Sequence, residues 1–269
     1  MHLVISALHF PWQSMAECLR VATGDLGLDG VELSWHDSFE RPHCTREDLA
    51  VLAARAASPA SGAALLSAHI WDNLAEAEPD AAHDALLRWL ALCRTTDVRN
   101  LIVHGGSWRD QKDGIARVRG VLESVLPAFA RAKVVLNLEN HYAYDYHDCH
   151  ELFSVPWEFI EVLTLDSPSL RFCFDTGHGN MTRNTSDLLA QLAPWLSYVH
   201  LADNRGVDDD HLAYGLGTVA WADTFTQLRA QGFNGTFCVE FPTYADREPF
   251  RACVTEIRRR WAARGATEN

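Results

Sequence analysis

Short apolar, β-branched runs recur along the chain, and each gives way to polar or glycine-containing residues and then to a longer amphipathic stretch. Eight of these runs read as strands: LVISALHF (3–10), GVELSW (30–35), ALLSAHI (64–70), NLIVHGG (100–106), VVLNLEN (134–140), LRFCFDT (170–176), YVHLAD (198–203) and GTFCVEF (235–241). Helical periodicity fills the intervals, as in TREDLAVLAARAAS (45–58), DAAHDALLRWLALCRTT (80–96) and GIARVRGVLESVLPAFARAK (114–133). Leu86, Leu87, Leu90 and Leu92 fall at helical spacing, and Thr45 followed three residues later by Asp48 predicts an N-terminal cap. REPFRACVTEIRRRWAARG predicts a last helix with Arg258, Arg259 and Arg260 on its wet side and Trp261 as its apolar anchor.

Strands that alternate with helices imply parallel pairing, because each parallel crossover needs about a dozen residues or more. No Gly/Ser linker or compositional break divides residues 1–269, so the chain reads as one domain. Eight βα units in this length predict an α/β fold, a closed (β/α)8 TIM barrel whose chemistry sits where strands end and βα loops begin. An open dinucleotide-binding sheet is disfavoured: no strand is followed by GxGxxG, and GLDG (27–30) precedes a strand.

Composition narrows the function classes. Apolar residues make up 48% and charged residues 22% of the chain, as in ordinary globular proteins. Thirty-six acids against 23 Lys and Arg give a formal charge of −13, which disfavours non-specific attraction to nucleic acid or anionic lipid. Seven widely spaced cysteines, an odd number without a CxxC pair, argue against a disulfide framework and for a reducing compartment. The start, MHLVISALHFPW, lacks the pattern of a signal peptide, and no segment reaches the ~18 uninterrupted apolar residues of a membrane span. A soluble, cytoplasmic protein is the expectation.

The acids and histidines fall at informative places. Glu32 lies in strand two, His69 and His104 near the ends of strands three and four, and Glu139 near the end of strand five. Asp175 and His178 follow strand six, His200 sits in strand seven and Glu240 in strand eight. A barrel brings these distant positions to one face. Carboxylates repeated at the ends of apolar strands repel one another and resist desolvation, whereas a divalent cation satisfies Glu139, Asp175, His200 and Glu240 together. DNRGVDDDHLAYGLG (203–217) adds Asp209 and His211, which with His69, His104 and His178 are candidates for one or two further metal positions. Mixed imidazole and carboxylate donors suit zinc or manganese better than calcium. His36, His43, His83, His147 and His150 read as ordinary surface or core histidines, while His9 and His141 are placed to line a pocket. Trp12, Trp35, Trp71 and Trp108, with Phe10, lie close to strand ends and are candidate apolar walls or rim packing.

GVELSW, SAHI, IVHGG, LNLEN, FDTGHGN, VHLADNRG followed by DDDHLAYGLGTVAW, and FCVEF together resemble the sugar isomerases and epimerases of the xylose-isomerase-like TIM-barrel superfamily, which also includes endonuclease IV. The epimerase branch of that resemblance implies one divalent ion on Glu139, Asp175, His200 and Glu240, manganese or zinc first, with magnesium or cobalt as alternatives. It implies Glu139 and Glu240 as the proton-transferring carboxylates for a metal-stabilised enediolate, and His178, His69 and an inexactly matched Arg205 as contacts to a sugar or polyol. Trp12 and Trp108 are the aromatic candidates for that substrate. The endonuclease branch implies instead up to three zinc ions on His69, His104, Glu139, Asp175, His178, His200, Asp209, His211 and Glu240, with phosphoester hydrolysis as the reaction. Asp208, Asp209 and Asp210 beside those ligands oppose a grip on a phosphate backbone. Dehydration of a sugar or polyol is a further alternative. Barrels of this kind often associate through outer helices or loops, which leaves a homo-oligomer possible, but the sequence singles out no interface.

Overall fold

Eight parallel strands close into a barrel in simple chain order: β1 (His2–Ser6), β2 (Gly30–Trp35), β3 (Leu65–Ile70), β4 (Asn100–Val103), β5 (Val135–Glu139), β6 (Leu170–Asp175), β7 (Leu196–Leu201) and β8 (Thr236–Val239). The computed structural model describes residues 1–9, 14–58, 64–75, 78–146, 148–243 and 247–263. Closure is made by β1, which pairs with β8 from His2 against Thr236 and with β2 from Val4 against Gly30. All eight predicted runs form strands, and the fold is the predicted (β/α)8 barrel. The first run stops early: after Ser6 the chain turns through a short 3-10 segment at Ala7–His9.

Helices surround the barrel, among them α1 (Met15–Arg20), α2 (Arg46–Ala56), α3 (Pro79–Thr96), α4 (Gln111–Ala132), α5 (Pro156–Leu163), α6 (Thr176–Thr182), α7 (Thr185–Leu192), α8 (Trp221–Ala230) and α9 (Arg247–Ala262). The Thr45 cap forms as a reciprocal box: the Thr45 hydroxyl accepts from the Asp48 amide, and the Asp48 carboxylate accepts from the Thr45 amide. That carboxylate also accepts the amide of Met15, tying the start of α1 to α2. In α3, Leu86 and Leu90 are buried while Leu87 and Leu92 sit half-buried against the core. In α9, Trp261 packs edge-on against Phe225, Phe233 and Phe237, the anchoring role expected of it. No helix among the described residues is long and apolar enough to cross a membrane.

Strand parity divides the barrel into two environments. Successive side chains on a strand face opposite sides, so Val31, Leu33 and Trp35 of β2 enter the layer between sheet and helices while Glu32 and Ser34 take the other face. Val4, Ile102, Cys173, Tyr198 and Cys238 form a separate buried cluster that fills the barrel interior, with the Tyr198 hydroxyl 2.7 Å from that of Ser67. Trp35 is therefore not a pocket wall. It is fully buried, stacked on Trp89 of α3 with ring centroids 5.9 Å apart. Phe10 and Trp12 lie outside the described residues.

One further element stands at the mouth of the barrel. Ser107–Trp108, Asp145–Tyr146 and Cys149–Glu151 form a small antiparallel sheet from the loops that follow β4 and β5. Urea unfolding checks the parity argument: Trp35→Ala should cost about 3–5 kcal/mol, the usual range for emptying a buried tryptophan site, and leave divalent-metal binding intact. A loss under 1 kcal/mol would return Trp35 to the pocket.

Candidate metal centre

Parallel register sets the height of the functional groups. His200 is paired with Asp175 across β7 and β6, Glu139 is paired with Cys173 across β5 and β6, and the Glu240 amide donates to Leu201 O just past the end of β8. Glu139, Asp175, His200 and Glu240 consequently meet inside the C-terminal end of the barrel, all at most 5% exposed, each offering a ligand atom within 4.8 Å of the others. His200 Nδ1 lies 2.8 Å from Glu139 Oε1 and 3.3 Å from Glu240 Oε2.

Local interactions hold these groups from behind. Asn140 clasps Asp175 through two bonds: its side-chain amide donates to Asp175 O at 3.1 Å and its oxygen accepts the Asp175 amide at 2.8 Å. The Asp175 carboxylate caps α6 by accepting the His178 amide at 2.6 Å through Oδ1. Among the described residues its Oδ2 has no hydrogen-bond partner, nor has the buried Oε1 of Glu32. Buried carboxylate oxygens need a partner, and oxygen and imidazole donors crowded in this way fit a divalent cation of the zinc or manganese type.

Two neighbouring groups extend the centre. His69, His104 and Glu139 present ligand atoms within 4.8 Å of one another, with His104 Nε2 3.0 Å from Glu139 Oε2 and 3.2 Å from His69 Nε2. On the other side Asp209 Oδ2 lies 3.4 Å from His178 Nε2 and 3.1 Å from His211 Nε2. All nine predicted donors thus fall into one connected region. Arg205 does not join them; it is exposed and pairs with Asp210.

Charge is unevenly shared in the protein atoms alone. Burial pushes Glu240 up to about 8 against the pull of His200, and burial with the nearby Glu139 charge raises Asp175. Burial also favours neutral Glu139, but His200, His104 and His69 outweigh it and hold the carboxyl well below the usual range. Burial lowers the His178 imidazolium, yet Asp175, Asp209 and Glu139 overcome that effect and hold it at about 10.

The loop after β7 is fixed by Asp203. Its buried carboxylate accepts the amides of Asn204, Gly215 and Val219 and the indole N–H of Trp221. Leu212 exchanges backbone bonds with Asp203, which fixes the segment bearing Asp209 and His211. Gly217 is required where it stands because a Cβ there would strike the Asn204 carbonyl.

Aromatic groups line the approach. Trp71 is 42% exposed, stacks on His69 at 5.1 Å and donates its N–H to Ser34. Trp108 is half-buried, its N–H given to Asp113 and its face covered by Arg117. His141 packs on His104, His178 and Tyr142, and His9 on His211, so both pocket histidines stand beside the cluster. Of the remaining histidines, His36, His43, His83 and His150 find hydroxyl or carboxylate partners away from the donors, and His147 lies outside the described residues. Glu32, Asn140, Asp203 and Glu151 received no role from the sequence. Glu32 bonds His200 Nε2 at 3.1 Å, and Glu151 reaches within 3.9 Å of His141 Nδ1. Only Glu32 carried a signal, as the one acid in the largely apolar strand GVELSW.

Residues 21–261 match the family described as xylose isomerase-like TIM barrel. The chain belongs to this family. An uncharacterized protein of Methanocaldococcus jannaschii is 30% identical over 89 residues, a match spanning 32% of this chain and 30% of that protein. Among solved structures, a D-tagatose 3-epimerase-like protein superposes with a TM-score of 0.77 at 18% identity, over 97% of this chain and all of that one. D-psicose 3-epimerase from Clostridium cellulolyticum H10, with D-tagatose, gives 0.77 at 16% identity over 98% of this chain and 100% of the other. The 3-keto-D-glucoside 4-epimerase of E. coli gives 0.73 at 18% identity, over 96% and 99%. The family's barrel accounts for the convergence of donors from separate strands on one end.

Metal binding should register as stability. Zinc or manganese added to stripped protein at about 100 times Kd should add about 2.7 kcal/mol to unfolding, and Asp175→Asn combined with Glu240→Gln should abolish the gain; an unshifted wild-type transition would refute the centre. Separately, Asp203→Ala should speed amide exchange across residues 204–219 while the barrel strands stay protected, as read by hydrogen-exchange mass spectrometry.

Proposed function

We propose that this protein is a divalent-metal-dependent isomerase or epimerase of a small sugar, formed as one barrel domain. The observation that carries the reading is the set Glu139, Asp175, His200 and Glu240, delivered by four adjacent strand ends to one buried point. The likeness of the fold to sugar 3- and 4-epimerases over nearly the whole chain supports it. Seven free cysteines support a reducing, cytoplasmic setting.

Glu139, Asp175, His200 and Glu240 would hold the ion, which supplies polarisation of the carbonyl and adjacent hydroxyl oxygens of a ketose. Glu139 and Glu240 then divide the proton work. They stand on β5 and just past the end of β8, with β6 and β7 between them, and both reach His200 Nδ1. One carboxylate takes the proton from the carbon beside the carbonyl, leaving its electron pair in the double bond of an enediolate. The other carboxyl returns a proton to the opposite face, which epimerises that carbon, or to the neighbouring carbon, which exchanges aldose and ketose. His69 and His178 flank the pair and are placed to hold hydroxyls, with Trp71 as an apolar surface for the C–H face. Trp108 and Arg205 stay secondary, since both are engaged with neighbouring side chains.

A second reading, phosphoester hydrolysis by a multinuclear zinc centre, is favoured by one observation. Glu139 belongs both to the four-donor set and to the group with His69 and His104, and Asp209 stands between His178 and His211. The net charge of −13 and the acidic loop at Asp208–Asp210 weigh against nucleic acid as its substrate.

Deuterium uptake from D2O into a panel of ketoses separates the two. Metal-loaded wild type should label the carbon next to the carbonyl, and Glu139→Gln or Glu240→Gln should slow labelling by about 10²–10⁴-fold. Absence of labelling in every sugar, together with two or three zinc ions per chain and cleavage of a phosphodiester, would overturn the first reading in favour of the second.

A further inference from the structure

Glu32 stands outside the four donors assigned above, yet no acid of the cluster is more deeply enclosed, with 0% of it exposed. Its strand partners are Ser6 and Ser67, two small side chains that leave room for a long carboxylate to reach across the interior. It crosses toward β7, a strand not adjacent to its own, and places Oε2 3.1 Å from His200 Nε2. The opposite ring nitrogen, Nδ1, faces Glu139 and Glu240 at 2.8 and 3.3 Å. One edge of the imidazole thus meets the ligand set and the other meets Glu32.

An imidazole that coordinates through one nitrogen carries its proton on the other, and that N–H needs an acceptor when it is buried. We infer that Glu32 is the positioning residue of the metal centre: it accepts the His200 Nε2–H and fixes the tautomer whose Nδ1 lone pair points at Glu139 and Glu240. The inference rests on the metal-centre reading of the preceding section. A competing arrangement uses Glu32 as a direct ligand, because Glu32, His69, His200 and Glu240 also offer donors within 4.8 Å of one another. In that arrangement His200 coordinates through Nε2 and carries its proton on Nδ1, so the two are distinguished by which nitrogen holds hydrogen.

The test uses the full chain with zinc as probe. Affinity is read by competition with a chromogenic chelator, and the His200 tautomer by long-range proton–nitrogen correlation in the zinc-loaded, histidine-labelled protein. Wild type should bind zinc and show hydrogen on Nε2. Glu32→Gln, whose amide oxygen still accepts, should weaken zinc about 10-fold and keep that tautomer, while Glu32→Met should weaken it about 100-fold and lose the single tautomer. Thermal melting without zinc checks that each variant folds, and if the methionine variant does not, the wild-type spectrum and Glu32→Gln decide. Hydrogen on Nδ1, or unchanged affinity in the variants, overturns the inference while leaving the metal centre standing. Failure of wild type to take up zinc or manganese overturns the centre itself, before any substitution is made.

Discussion

Four carboxylates, those of Glu32, Glu139, Asp175 and Glu240, are buried around one imidazole inside the barrel. Each isolated charge of this kind is costly to remove from water, and like charges at such separations make it costlier. The arrangement persists because every member is held by something else: Asp175 by Asn140 and the first turn of α6, Glu139 by His104 and His200, Glu32 and Glu240 by His200. The barrel supplies the stiffness and the strand ends supply the acids.

The loops around this centre are ordered by polar groups that do not face it. Asn204 donates to Gly177 O and accepts from the side chain of Asn180, joining the β7 end to α6. Asp203 gathers donors from residues 204, 215, 219 and 221. A motif such as HLADN therefore combines two jobs in five residues: His200 enters the centre, and Asp203 and Asn204 hold the loop that brings in Asp209 and His211.

Much of this was legible in the sequence, for physical reasons that can be named. Strand period and helix period announced the eight βα units, and position at strand ends announced Glu139, Asp175, His200 and Glu240. The parity of a strand was the less readable part. GVELSW is uniformly buried, so nothing in its hydropathy told that Trp35 belongs with Trp89 outside the barrel while Glu32 belongs with His200 within it. Polar groups that act on backbone, such as Asn140 and Asp203, are silent in a linear reading because their partners lie 35 residues away or are spread over a loop. The small sheet at Ser107–Trp108, Asp145–Tyr146 and Cys149–Glu151 escaped for a related cause: its strands are two or three residues long, too short to carry a period.

Beneath His200 the interior is closed by Val4, Ile102, Cys173, Tyr198 and Cys238, none more than 1% exposed. The donors therefore rest on a packed apolar floor and face the C-terminal end of the barrel. Because its five side chains come from five different strands, that floor ties the position of the imidazole to the barrel as a whole.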